Sequence, residues 1–267
     1  MLMTLIAAVI AALFGLLLGS FLNVCIYRWP RDLSVVRPRS ACPGCQHLIA
    51  WYDNLPVVSF LLLKARCRHC REPIAWRYPI VELLTALSFG WFVAHFGPTV
   101  EAAKYCVFAW LMIGLIFSDL ETLILPDEMT LGGLVIGLAF APFAKVPDQT
   151  FALICAIAGF RLGPRVESFA EAAFGALFPA VTLFLLGWIF EKVRDKEGLG
   201  FGDVKMIAMV GAFLGLQGAL LTVILGSIAG SIIGIAYIKL TKQDAATYQL
   251  PFASFLGAAA LFAAFRV

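Results

Sequence analysis

Long apolar runs separated by short polar breaks make up most of the chain. Runs at residues 2–27, 78–96, 102–118, 129–144, 169–190, 204–216, 218–238 and 251–265 carry few charges or none. A helix of about 20 apolar residues crosses a bilayer, because it satisfies its own backbone where no water is present. The pattern therefore predicts an all-α membrane protein of about eight transmembrane helices. Only one polar stretch is long, residues 28–77, between the first and second runs. A further apolar stretch, 151–160, is too short to span and is read as an outer interfacial or re-entrant helix. Gly226, Gly230 and Gly234 recur at a spacing that lets helices approach closely. The chain divides into a first transmembrane helix (1–27), a cytoplasmic segment (28–77) and a membrane domain (78–267).

Composition supports a bilayer and excludes a soluble core. The chain is 61% hydrophobic and 14% charged, with mean hydropathy +0.92. Soluble domains carry about 25% charged residues. The first run leads into Ser20, Asn23 and Arg28 with no small-residue cleavage site, so it reads as a retained helix. The lipid bilayer is the expected partner; nucleic acid is not.

Charge then orients the chain. Nine of the 20 Lys and Arg fall in residues 28–77, which places that segment in the cytoplasm and both termini outside. Eight spans put 15 of the 20 on the cytoplasmic side, leaving Lys104, Lys145, Arg161, Arg165 and Arg266 outside. A second cytoplasmic loop, 191–202, carries Lys196, Gly198, Gly200 and Gly202. Asp119 and Asp203 then share the cytoplasmic face.

Acidic residues inside apolar segments are functional candidates by default. Singly, each has an ordinary reading: Asp203 as N-cap of a helix over 204–216, Asp119 as an interfacial charge. Together they form a pair beside a Gly-rich turn that admits a substrate. Two close carboxylates share a proton, so one acts as base on a water while the other polarises a carbonyl. Glu121, Asp127 and Glu128 read as interfacial charges or caps.

Cys42-x2-Cys45 and Cys67-x2-Cys70 lie in the same reducing, cytoplasmic segment, where disulfides are disfavoured. Four thiolates suit Zn²⁺, whose binding would supply folding energy to a segment with little apolar core. A redox role for the pairs is the alternative. His47 and His69 read as exposed polar residues, and Cys25, Cys106 and Cys155 as packing residues.

Gly200-Phe201-Gly202-Asp203 resembles the GxGD motif of intramembrane aspartic proteases. With Asp119-x6-Pro126-Asp127, Gly19-Ser20-Phe21-Leu22-Asn23-Val24, Trp51-Tyr52-Asp53-Asn54-Leu55-Pro56 and Arg77-Tyr78-Pro79-Ile80-Val81-Glu82-Leu83, the chain is similar to bacterial type IV prepilin peptidases. The resemblance covers nearly the whole chain and is weakest at 145–168. It implies an inner-membrane protease with Asp119 and Asp203 catalytic, Gly200 and Gly202 in the active-site loop, and prepilin or pseudopilin precursors as substrates. A basic leader in the cytoplasm and an apolar segment in the bilayer would put the scissile bond at the cytoplasmic boundary. Family members with the cysteine segment also N-methylate the new N-terminus with S-adenosylmethionine. Asn23, Arg77 and Glu82 match the motifs near that face and become the cofactor candidates. By themselves they read otherwise, Arg77 as a topology marker and Glu82 as its partner or that of Arg28. Gly198-x-Gly200-x-Gly202 follows no strand and is no dinucleotide fingerprint.

Rival readings are a transporter using the aspartates as a proton relay, a zinc-bearing assembly scaffold without chemistry, and a family member lacking methylation. The transporter reading lacks two halves with matching broken helices. A metalloprotease lacks its His-Glu-x-x-His among three histidines.

Overall fold

The computed structural model describes residues 2–194, 200–242 and 249–267. Lys196 and Gly198 of the expected 191–202 loop lie outside the described residues. The described residues form helices and no strand: α1 (Leu2–Arg28), α2 (Val58–Leu62), α3 (Arg77–Phe96), α4 (Val100–Thr122), α5 (Asp127–Phe140), α6 (Thr150–Ile157), α7 (Pro164–Arg194), α8 (Phe201–Thr241) and α9 (Phe252–Phe265). Two short 3₁₀ turns, Trp29–Arg31 and Trp51–Asn54, lie within the polar segment.

The apolar runs all become helices, but not as eight equal spans. Among the described residues, α1, α3, α4, α7 and α8 are the five long and apolar enough to cross a membrane. Helices α5 and α9 have 14 residues each. At 1.5 Å per residue that is about 21 Å, short of a hydrocarbon core of about 30 Å. The expected spans 204–216 and 218–238 are the two halves of α8, which breaks at Gly215 (φ 75°). Helix α7 starts earlier than expected, at Pro164, because proline's missing N–H and fixed φ suit the first helical position.

The chain forms two compact units, residues 1–114 and 115–267, with the boundary inside α4. In the first, α1 lies against α3 so closely that a Cβ on Gly19 would stand 2.7 Å from Glu82 Cα. The Trp110 indole N–H of α4 donates to the Leu18 carbonyl at 3.0 Å. In the second unit α7 and α8 cross tighter still: a Cβ on Gly211 would stand 1.8 Å from the Gly175 oxygen. Helix α9 packs on α8 at Gly226, where an added Cβ would meet Leu256 Cα at 3.0 Å. Gly226, Gly230 and Gly234 are all buried.

Two carboxylates organise the stretch where the family resemblance is weakest. Glu171 of α7 accepts the N–H groups of Phe151 (3.0 Å) and Ala152 (2.7 Å), satisfying donors at the start of α6. Asp148 accepts from the Thr150 N–H and hydroxyl, and from the Gln217 N–H at 3.0 Å, just past the break in α8. It thus caps the second half of α8 from another element.

Candidate active site and metal centre

Asp119 sits in the last turn of α4, 5% exposed. The chain leaves that helix through Leu123 (φ 56°), and the Ser118 hydroxyl donates to the Ile124 carbonyl at 2.8 Å. The turn delivers Leu125 to Gly202, where a Cβ would stand 3.1 Å from Leu125 Cδ1. The Lys205 ammonium pairs with Asp127, joining the same two segments a second time. The sequence-predicted Asp119 and Asp203, 84 residues apart in the chain, are thereby brought together within one unit and interact electrostatically.

Helix α8 starts at Phe201 with Gly200 as its N-cap residue, and no side chain caps it. Asp203 is therefore inside the first turn, half-buried, and the cap reading fails. Its N–H bonds the Gly200 carbonyl at 3.0 Å. Glu121, Asp127 and Glu128 are exposed; Asp127 and Glu128 open the first turn of α5, where negative charge suits the helix dipole.

One partner of the site goes unnoticed in the sequence. Ser254 of α9 donates its N–H (2.7 Å) and its hydroxyl (2.8 Å) to the same oxygen, Oδ2, of Asp119. A buried carboxylate needs such donors. The available signal was faint: one hydroxyl three residues after Pro251, at the start of an apolar run.

The four cysteine sulfurs lie within 4.8 Å of one another, with Cys42 and Cys70 Sγ 3.6 Å apart. Zinc–thiolate bonds of about 2.3 Å in a tetrahedron put sulfurs about 3.8 Å apart, so the donor set fits that ion. The backbone explains the convergence. Cys42 N–H bonds the His47 carbonyl, Gln46 N–H the Cys42 carbonyl, and Ile49 N–H the Ser40 carbonyl. The same three bonds recur 25 residues later, from Cys67 to Glu72, Arg71 to Cys67 and Ile74 to Ala65. Gln46 (φ 57°) and Arg71 (φ 63°) share the left-handed turn. The segment is thus a doubled knuckle, foreshadowed by Ile49-Ala50-Trp51 and Ile74-Ala75-Trp76 at equal distances after the pairs. The N–H groups of Cys70 and His69 bring the Cys67 thiol down to about 6, towards the thiolate that a metal needs. Arg68 and Asp53 form a fork of two bonds, 2.8 and 2.6 Å, which holds the Asp53 carboxyl below its usual range.

His47 and His69 lie against each other, 3.6 Å between ring centres with the rings tilted by 38°, and do not join the sulfur cluster. Cys25 and Cys106 are buried packing residues and Cys155 is partly exposed.

Of the other candidates, Asn23 and Glu82 are buried on facing helices of the first unit. Asn23 Nδ2 donates to the Tyr78 carbonyl at 3.1 Å, and its Oδ1 is buried with no partner among the described residues. Glu82 accepts the Val57 N–H at 2.7 Å, which holds the positive-φ turn there (φ 59°). The Arg77 guanidinium lies over the Tyr78 ring, 4.6 Å from its centre.

Comparison with known proteins agrees with this arrangement of two units. Residues 13–96 match the family model of the bacterial peptidase A24 N-terminal domain, and residues 106–235 that of the type IV leader peptidase family. The prepilin leader peptidase/N-methyltransferase of Myxococcus xanthus is 40% identical over 236 residues, 88% of this chain and 64% of the relative's length. The proteins of that name from Pseudomonas aeruginosa and Aeromonas hydrophila are each 34% identical, over 92% of this chain and 86% of their own length. No solved structure matches the chain. With its five membrane-length helices and its match to relatives that it covers over 86% of their length, the chain is a multi-pass membrane protein and belongs to the type IV leader peptidase family of proteases.

Proposed function

We propose that the chain cleaves the basic leader from type IV prepilins or type II secretion pseudopilins, and N-methylates the residue exposed. The observation that carries the reading is the pairing of Asp119 and Asp203 in one unit of a chain similar to named prepilin leader peptidase/N-methyltransferases. The location is the bacterial inner membrane, with the site at its cytoplasmic face. In the proposed reaction one carboxylate takes a proton from water. The other, protonated, donates to the scissile carbonyl, and the tetrahedral intermediate collapses as the amine leaves with a proton. Gly200 and Gly202 keep side chains away from the path of the substrate backbone.

Zn²⁺ bound by Cys42, Cys45, Cys67 and Cys70 would be structural, because four protein ligands leave no open position. S-adenosylmethionine supplies the methyl group when bound. Asn23, Arg77 and Glu82 are assigned to its binding, and the buried, unpartnered Oδ1 of Asn23 is the acceptor that an amino group would satisfy.

The test is incubation of the purified chain with a pilin-like precursor and S-adenosylmethionine, read by mass spectrometry of the product's N-terminus. Leader removal plus one methyl mass is the expected result. No cleavage of any of several precursors would move the transporter and scaffold readings ahead.

A further inference from the structure

Ser254 is 8% exposed and sits in the first turn of α9, where a main-chain N–H has no acceptor inside its own helix. That N–H goes to Oδ2 of Asp119 at 2.7 Å. The hydroxyl lies 2.8 Å from the same oxygen and 3.1 Å from the Ile116 carbonyl. Two donors thus converge on Oδ2, while Oδ1 has no donor among the described residues. Hydrogen bonds that favour the charged form of a carboxylate are worth more than neutral ones. Asp203 stands half-buried without a comparable pair of donors, its main-chain N–H turned to Gly200.

This asymmetry separates two otherwise equivalent aspartates, given the reading that they are the catalytic pair. We propose that Ser254 is a positioning residue that holds Asp119 as the base, with Oδ1 turned to the attacking water, and so leaves Asp203 as the acid. The water's proton passes to Oδ1 of Asp119 as its oxygen bonds to the carbonyl carbon. Asp203 gives its proton to the carbonyl oxygen. When the C–N bond breaks, Asp119 returns its proton to the leaving amine and Asp203 recovers its own. Oδ2 accepts from Ser254 throughout. The charged groups around Asp119 are few. Asp203 faces it from α8, α9 brings none, Glu121 on its own helix is exposed, and Lys205 is turned to Asp127.

The experiment measures kcat and KM against pH for the full-length chain in detergent with a pilin-like precursor. It compares wild type, Ser254→Ala, Ser254→Thr and Asp119→Asn, with thermal unfolding of each. Loss of the hydroxyl is expected to lower kcat about 10-fold with KM within about twofold, since a bond to a charged group is being removed. The acid limb of the kcat profile moves to higher pH, because the base is harder to keep charged. Ser254→Thr restores kcat to within about threefold. Wild-type kcat and an unmoved acid limb in Ser254→Ala overturn the inference while an inactive Asp119→Asn keeps the catalytic pair. A uniform loss with an unmoved limb and no rescue by threonine reduces Ser254 to packing and also overturns it. An active Asp119→Asn defeats the catalytic reading itself. If Ser254→Ala unfolds, Ser254→Cys keeps the size with a weaker donor and carries the same test.

Discussion

The doubled knuckle and the aspartate end are built on opposite plans. The knuckle is local. Each half closes through three main-chain bonds within ten residues, and the halves meet through the sulfurs and the His47–His69 ring contact. The aspartate end is non-local, assembled by α4, α8 and α9, which approach because Gly202, Gly226 and Gly257 carry no side chain. A local site stands or falls with its ligands. A non-local one depends on the packing of the helices that carry it.

The largest expected effect lies at the aspartates. Asp119→Asn and Asp203→Asn each lower cleavage by about 10²–10⁴-fold, the range of a lost general acid or base. The double variant is scarcely worse than either single one, since residues acting as a unit are not additive. Near-wild-type cleavage by either variant would dissolve the pair, and additive losses would mean two independent roles.

Removing the metal inverts the expectation. Cys42→Ser or Cys67→Ser, or chelation of the wild type, lowers bound zinc from one per chain towards none and unfolds the knuckle, as in other small metal-dependent folds. Cleavage falls less than about tenfold, because Asp119 and Asp203 belong to the other unit. Metal analysis and limited proteolysis of the 28–77 segment provide the readouts. Full zinc in a variant lacking all four cysteines disproves the centre.

Much of this was legible from residues alone. Apolar runs gave the helices, and Cys-x2-Cys spacing gave the cluster, because both are local signals. Asp119 and Asp203 stood out as charges where charge is costly. Ser254 did not, since a serine beginning an apolar run has many uses and its partner lies 135 residues away. The break at Gly215 was read as a gap between spans. A carboxylate from a distant loop caps the helix just past it, which no local pattern announces. The knuckle repeat was present in the letters and needed the 25-residue comparison to be seen.

Helix approach supplies the next contrast. Gly211→Ala forces α7 and α8 apart, and overpacking of this kind costs about 1–3 kcal/mol. Gly132→Ala in α5 meets nothing within 4 Å and adds helix propensity, so it leaves stability unchanged or raises it by up to about 1 kcal/mol. Thermal unfolding in detergent distinguishes them. Equal effects would show that the tight crossing yields without strain.

The smallest effect belongs to Asp148 and is found by titration. Burial works against its charged form, but donors from Thr150, Gln217 and Gln149 outweigh it and hold the carboxyl below its ordinary 3.8. A depressed carboxylate stabilises the fold fully above its unfolded value and loses that contribution as pH falls through the folded one. Asp148→Asn keeps the shape and weakens the cap on Gln217, so it costs about 1 kcal/mol at neutral pH. The gap between wild type and variant stays constant from neutral pH to about pH 5. It closes below about pH 4, as wild-type Asp148 takes up the proton. A gap that persists unchanged into acid would mean that shape, and not charge, joins the loop to the broken helix.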